Sequence, residues 1–225
     1  MKVVLLPGLD GTGTLFQPLI KALPKEFDTQ VISYPSNRKL SYEQLIELVI
    51  EEVPEEEFIL VGESFSGYIA YQVALQKPDN LKSIIFVASF LENPKPYLLG
   101  LSRWLPTNLI LSVPIPSVIA KIFLLGSTAS NEMIDLFKQA IKHVSPDVLS
   151  FRLEEIRQIP KNHKHCEIRA VYLQADNDNL VPKNCVKKFK EVFENIKVIE
   201  MKGSHFLLQV NPLACAKVIA NEASY

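Results

Sequence analysis

Apolar and polar positions along this chain fall into two alternating rhythms. Short runs that are apolar almost throughout recur at Val3 to Leu6, Phe58 to Val61 and Leu81 to Ser89, the last with Ile84, Ile85, Phe86 and Val87 in succession. Such runs predict strands buried on both faces, as in a parallel sheet covered by helices on either side. Thr29 to Tyr34, Ile168 to Leu173 and Lys197 to Met201 read as further strands. Between the strands, apolar residues recur at helical spacing. Leu15 to Leu23 is stopped by Pro24. Tyr42 to Val53 carries Leu45, Ile46, Leu48 and Val49 and is stopped by Pro54. Ser41, followed by Gln44 three positions on, forms a capping box at the start of that helix. A helix with Ile69, Val73 and Leu75 is predicted just after Gly67, and others over Lys183 to Glu194 and Pro212 to Ala220. Strands alternating with helices predict an α/β protein whose ligand lies beyond the C-terminal ends of the strands.

The rhythm breaks between Phe90 and about Lys164. The expectation is a helical cap, residues 90–165, inserted into a core made of residues 1–89 and 166–225. Pro94 and Pro96 open the segment, and Tyr97 to Leu125 is strongly apolar, with Trp104 among its residues. Pro106, Pro114 and Pro116 break that run, and Arg103 and Lys121 interrupt it. No part therefore approaches the ~20 apolar residues of a membrane span. Helical periodicity resumes over Asn131 to Ile141 and Val148 to Ile159. The excess of aliphatic side chains favours a lid over an apolar pocket. The competing readings are a small helical subdomain packed on the core and a cap that rests on a membrane surface.

Composition narrows the function classes. At 225 residues the chain is long enough for one sizeable core. A net charge of −1, with no Lys/Arg-rich run, argues against a nucleic-acid partner. Cys166, Cys185 and Cys215 are an odd number at no metal-like spacing. They read as buried thiols of a reduced, cytoplasmic protein. The first apolar run is too short for a signal peptide and flows straight into a glycine-rich loop.

The candidate chemistry sits where predicted strands end. Ser64 lies between the strand ending at Gly62 and the helix after Gly67, flanked by the small residues Gly62, Ser66 and Gly67. A strand-to-helix turn that sharp requires small neighbours, and it lifts the serine hydroxyl above the sheet. The Phe65 N–H then faces whatever Ser64 attacks. After the first strand comes Pro7-Gly8-Leu9-Asp10-Gly11-Thr12-Gly13-Thr14, whose spacing matches neither a dinucleotide fingerprint nor a P-loop. Its better reading is a second source of oxyanion donors, Leu9 first and Asp10 second. Pro7 has no N–H to donate. Asp176 and Asp178 follow a later strand, and His205 follows the last one. His143 lies in the cap, while His163, His165 and Cys166 precede a strand, where a coincidence outweighs a metal site. Glu63, beside the serine, is expected to be exposed and is given no chemical role.

Over nearly its whole length the chain resembles the α/β-hydrolase family. The serine elbow comes first, the acid second and the histidine last. Asp178-Asn-Leu-Val-Pro182 resembles the family's acid turn, Gly203-Ser-His205 with Asn211-Pro212 its histidine loop, and Pro7-Gly8-Leu9 its oxyanion loop. Ser66 departs from the glycine of that motif, and Pro7 from its usual histidine. The chain begins at the strand that family members number third, which implies a trimmed, mostly parallel sheet of about six strands. The resemblance implies a catalytic triad of Ser64, Asp178 and His205, with the N–H groups of Leu9 and Phe65 as oxyanion hole and no cofactor or metal. Asp176 and Glu92 remain alternative acids. The implied reaction is hydrolysis of a carboxylic ester with an apolar acyl or alkyl group. Thioesterase action on a carrier-bound substrate, acyl transfer, hydrolysis of an activated C–C bond and ligand binding without turnover are the alternatives.

Overall fold

In the computed structural model, residues 1–76, 79–94 and 130–224 are described. The apolar run from Tyr97 to Leu125, with Arg103, Trp104 and Lys121, lies outside them. Six strands form one sheet: β1 (Lys2–Leu6), β2 (Asp28–Val31), β3 (Phe58–Glu63), β4 (Leu81–Val87), β5 (Ala170–Ala175) and β6 (Ile196–Met201). Their order is β2-β1-β3-β4-β5-β6, and every pairing is parallel. The order reverses direction at β1, so the chain winds first to one side of β1 and then to the other. The loops that follow β1 and β3 lie side by side, as expected where a doubly wound sheet binds its ligand.

Alternate residues of each strand feed two separate cores. Val4, Leu6, Phe58, Leu60, Ile84, Phe86, Ala170 and Tyr172 pack on one face. They meet α2 (Tyr42–Glu52), α3 (Ser66–Leu75), α5 (Pro146–Gln158) and α6 (Val186–Val192) through Leu45, Val49, Ile69, Val73, Ile156, Phe189 and Val192. Val3, Leu5, Ile59, Val61, Ile85, Val87, Val171 and Leu173 pack on the other face. There they meet α1 (Gln17–Ala22), the short α7 (Leu207–Val210) and α8 (Pro212–Ala223) through Leu19, Leu207, Leu208, Ala216 and Ile219. Burial on both faces explains why these strands lack polar alternation. α4 (Asn131–Lys142) packs Ile134 and Phe137 against Leu15, Phe206 closing the cluster. Phe90, Leu91, Ile156 and Ile159 all join the first core, so both ends of the 90–165 segment are continuous with it.

Several boundaries differ from expectation for local reasons. The second strand ends at Val31 because Tyr34 N–H leaves the ladder to bond Gly11 C=O at 2.7 Å. The fifth strand starts and ends two residues late, because its ladder with β6 runs from Ala170 opposite Ile196 to Ala175 opposite Met201. The helix expected from Leu15 begins instead as a 3₁₀ turn over Thr14–Phe16. The Ser41 capping box is formed, with Gln44 N–H on Ser41 Oγ and Ser41 N–H on Gln44 Oε1. None of the three cysteines is in a disulfide; Cys166 and Cys215 are buried, whereas Cys185 is only half-buried. No helix among the described residues is long and apolar enough to cross a membrane.

Gly67 fixes how closely α3 meets the end of β4: a Cβ on it would collide with the Ser89 hydroxyl and lie within 3.3 Å of Phe90 C=O. Gly67→Ala is expected to destabilise the fold by about 1–3 kcal/mol, the usual cost of overpacking. Urea unfolding with an unchanged m-value would read it, and a variant as stable as wild type would contradict this packing.

Candidate active site

Ser64 occupies the turn between β3 and α3 with φ 49, in the left-handed region. For a residue with a Cβ that conformation costs about 1 kcal/mol or more. Hydrogen bonds hold it in place. Ser64 N–H donates to Val87 C=O at 2.9 Å, and Ser64 C=O accepts from Gly67 N–H at 3.1 Å and Ser89 Oγ at 2.6 Å. The Ser89 backbone is bound in turn by the Tyr172 hydroxyl, which accepts from its N–H and donates to its C=O.

The structure brings three of the expected residues into one line. Ser64 Oγ lies 2.8 Å from His205 Nε2, and His205 Nδ1 lies 2.9 Å from Asp178 Oδ2. Asp178 Oδ1 accepts from the N–H groups of Leu180 and Val181, both at 2.8 Å. Burial works to raise the Asp178 carboxyl. The hydrogen bond and charge of His205, helped by the two N–H donors, outweigh it and hold the group below the ordinary carboxylate range. An ionised carboxylate can only accept, so Nδ1 of His205 carries the proton. Nε2 is left as the acceptor for the Ser64 hydroxyl. Asp176 turns elsewhere: it is exposed, and its Oδ1 accepts from Gly203 N–H at 2.9 Å. Glu92 pairs with Lys188 at 3.1 Å.

The loop after β1 passes directly over the serine, so that a Cβ on Gly8 would lie 3.8 Å from Ser64 Cβ. The Leu9 N–H and the Phe65 N–H donate to no other group among the described residues. The Phe65 N–H belongs to the unsatisfied first turn of α3, which favours negative charge. Phe65 itself is fully buried, stacked on Tyr42 at 4.7 Å. Asp10 folds its carboxylate into its own turn, accepting from Thr12 N–H at 2.9 Å and Thr12 Oγ1 at 2.6 Å.

Glu63 corrects an expectation, for it is buried at 3% exposure. Gln209 Nε2, on α7, donates to its Oε1 at 3.0 Å. Burial raises the carboxyl to about 7; the Gln209 hydrogen bond lowers it by less, and the nearby Asp10 charge adds to the rise. The strand runs two residues past the apolar run, to Glu63, and all six of its positions are buried.

Three other contributors were not foreseen. Ser66, read only as a small residue, donates through its hydroxyl to Pro7 C=O and lies 2.6 Å from the Tyr34 hydroxyl. A hydroxyl has one proton to give, so Tyr34 donates to Ser66. Arg152 of α5 is buried and donates to the carbonyls of Leu9, Asp10 and Pro35. Its position was legible in principle, since it lies on the same helical stripe as Val148, Leu149 and Ile156. His163 lies edge-on to Tyr71 at 5.5 Å, His165 faces Glu194 at 3.9 Å, and Cys166 is buried, so the three do not converge. His143 caps the end of α4, its Nδ1 2.6 Å from Gln139 C=O.

A model of the alpha/beta hydrolase fold family matches residues 2–212. The chain is 32% identical over 123 residues to phytyl ester synthase 1, chloroplastic, of Arabidopsis thaliana, which covers 50% of this chain and 17% of that protein. It is 28% identical over 93 residues to the pimeloyl-[acyl-carrier protein] methyl ester esterase of Proteus mirabilis (strain HI4320), covering 39% of this chain and 36% of the esterase. Matches to these curated relatives thus span less than two fifths of the length of either. Among solved structures, a lipase-esterase related protein from Clostridium acetobutylicum ATCC 824 superposes with a TM-score of 0.78 at 19% identity, covering 98% of this chain and 93% of that one. At that identity the likeness is one of fold.

Because the native Glu63 carboxyl holds its proton up to about 7, against an ordinary value of 4.5, the folded state binds more protons across that interval. Its contribution to stability is complete below 4.5 and is lost as pH rises through about 7. Glu63→Gln keeps the acceptor for Gln209 and cannot ionise. Relative to wild type, it is expected to gain on the order of 3 kcal/mol between pH 4.5 and 7.5. Denaturant midpoints across that range measure the difference, and parallel curves for the two proteins would refute it.

Proposed function

The chain belongs to the alpha/beta hydrolase fold family, and on that premise we propose that it is a serine hydrolase of carboxylic esters working through Ser64, His205 and Asp178. The apposition of Ser64 Oγ, the His205 ring and Asp178 at 2.8 and 2.9 Å carries the reading. A serine hydroxyl is a weak nucleophile without a base beside it. Nε2 of His205 takes its proton as Oγ attacks the ester carbon. Asp178 holds the ring in the tautomer that permits this and stabilises the imidazolium. The tetrahedral oxyanion is received by the N–H groups of Leu9 and Phe65, each such donor typically contributing about 3 kcal/mol to the transition state. Collapse breaks the bond to the leaving alkoxide, which takes the proton back from His205. The acyl group stays on Ser64 until water, deprotonated by the same ring, releases it as the acid.

Substrate class is a narrower proposal. The apolar residues of the 90–165 segment favour an ester with an apolar acyl or alkyl group, with that segment as its lid. The likeness to phytyl ester synthase 1 favours a second reading: the same acyl-enzyme, discharged by an alcohol instead of water. The likeness to the pimeloyl-[acyl-carrier protein] methyl ester esterase favours a carrier-bound acyl ester as a further candidate substrate, and thioesters of such chains are the alternative bond for the same acyl-enzyme. A reducing, cytoplasmic setting is supported by three cysteines outside disulfides.

A series of 4-nitrophenyl esters of rising chain length, run beside a serine-directed phosphonate read by intact mass, tests the reading. Hydrolysis with a single adduct on Ser64 is the expected result, and the chain-length optimum sizes the pocket. An adduct without ester turnover would turn the proposal toward thioester or carrier-bound substrates. Neither adduct nor turnover would leave ligand binding without catalysis as the better account.

Ser64→Ala and His205→Ala are each expected to lower kcat by about 10⁴-fold or more while the fold persists. Normal hydrolysis by folded Ser64→Ala would end the mechanism. Asp178→Asn is expected to lower kcat by roughly 10³–10⁴-fold through the wrong tautomer. Asp176→Asn, whose amide oxygen still accepts from Gly203, stays within about tenfold of wild type. The reverse ranking would move the acid.

A further inference from the structure

The loop over Ser64 is held by its carbonyls. Pro7 C=O accepts from Ser66 Oγ, and Gly8 C=O accepts from Gly11 N–H at 3.0 Å. Leu9 and Asp10 C=O both accept from Arg152 Nη1, at 2.8 and 2.7 Å, and Gly11 C=O accepts from Tyr34 N–H at 2.7 Å. Arg152 is the largest of these anchors. Its second nitrogen, Nη2, donates to Pro35 C=O at 3.0 Å, and its guanidinium lies 5.7 Å from the centre of the Tyr34 ring. A buried guanidinium that spends its hydrogen bonds on backbone carbonyls fixes where those carbonyls point. The turn is moulded to it: Gly11 has φ +69, and a Cβ there would come within 2.5 Å of Arg152 Nη1.

In a trans peptide the C=O of one residue and the N–H of the next point in opposite directions. With the Gly8 carbonyl turned into the Gly8-to-Gly11 turn, the Leu9 N–H is turned out of it. With the Leu9 and Asp10 carbonyls held on Arg152, the turn cannot roll to redirect that N–H. We propose that Arg152 is a positioning residue for the oxyanion loop, clamping the Leu9 and Asp10 carbonyls so that the Leu9 N–H stays aimed at the substrate oxyanion above Ser64. The inference rests on the serine-hydrolase reading. It also links α5, at the end of the 90–165 segment, to the catalytic step.

The test compares wild type, Arg152→Met and Arg152→Lys on a 4-nitrophenyl ester. Each protein is also titrated with a trifluoromethyl ketone that adds to Ser64 as a tetrahedral mimic. Arg152→Met removes every donor at similar length. Its kcat is expected to fall roughly 10- to 100-fold, less than the 10²–10³ of deleting an oxyanion donor outright. KM stays within about twofold, and the inhibition constant for the ketone rises in parallel with the fall in kcat/KM. The pH profile of kcat/KM keeps its limb, because the His205 and Asp178 pair is untouched. A lysine cannot span three carbonyls as a planar fork does, so Arg152→Lys is expected to lose roughly three- to tenfold with the same parallel rise.

Folded Arg152→Met with wild-type kcat and ketone affinity would overturn the proposal. So would lost kcat with a shifted pH limb and unchanged ketone affinity, which marks damage to the triad. If Arg152→Met does not fold, Arg152→Lys decides: wild-type values in that variant overturn it. Ser64-dependent turnover in wild type beside an unaffected Arg152→Met removes this inference alone. An inactive wild type removes the hydrolase reading and the inference together.

Discussion

The conformation of one residue governs this site. Ser64 stays at φ 49 only because the groups around it leave the backbone no better choice. Its N–H is tied to β4 and its C=O to Ser89, which follows β4, while Tyr172 of β5 holds the Ser89 backbone. Three adjacent strands therefore brace a single turn. Ala88, the other described non-glycine residue with positive φ, sits beside this brace at φ 45 and swings the chain so that Ser89 can reach it. Strain at the serine is thus offset by hydrogen bonds from the next two strands, which fix the turn that carries its hydroxyl.

Electrostatics then separates two carboxyl groups that both feel the histidine. Asp178 receives two backbone N–H bonds and the His205 ring, so it remains ionised although burial opposes that. Among the described residues Glu63 has one side-chain donor, the Gln209 amide, and neither it nor the nearby His205 offsets burial, so the proton is kept to about 7. The difference comes from donors, since both side chains are buried.

Much of this was legible in the chain itself. The central strands hold apolar runs, such as Val3 to Leu6 and Ile84 to Val87, which secured their existence even where ends slipped by two residues, as at Ala170–Ala175; the edge strands β2 and β6 are mixed and half-buried. The order of Ser64, Asp178 and His205 was readable because each follows a strand on the same side of the sheet. For the acid the sequence favoured Asp178, through the Val181-Pro182 turn that follows it, over Asp176 two residues before and over Glu92. In the structure the turn gives Leu180 and Val181 N–H to Asp178, while Asp176 is exposed and bound to Gly203 N–H. Tertiary burial was the harder matter. Glu63 and Arg152 are residues that usually face water, and nothing local to either says what covers it. Arg152 sits on an apolar helical stripe, a clash between residue type and position that pointed inward.

Ser66 shows how a departure from the family motif is absorbed. A glycine at this place would meet the steric demand of the elbow. It would also leave Pro7 C=O and the Tyr34 hydroxyl without the group that joins them. Tyr34 is nearly fully buried, and its hydroxyl is held protonated by that burial. An orphaned donor and acceptor there would each cost about 1–3 kcal/mol. Serine is the smallest side chain that fits the turn and also closes this chain of donors. Sequence and site therefore agree on a single geometry: Pro7, unable to donate, offers only its carbonyl, Ser66 takes it, and Tyr34 fixes Ser66. The loop after β1 is thereby locked to the elbow from below, as Arg152 locks it from the side. Among the described residues this leaves the Leu9 N–H of that loop without an acceptor.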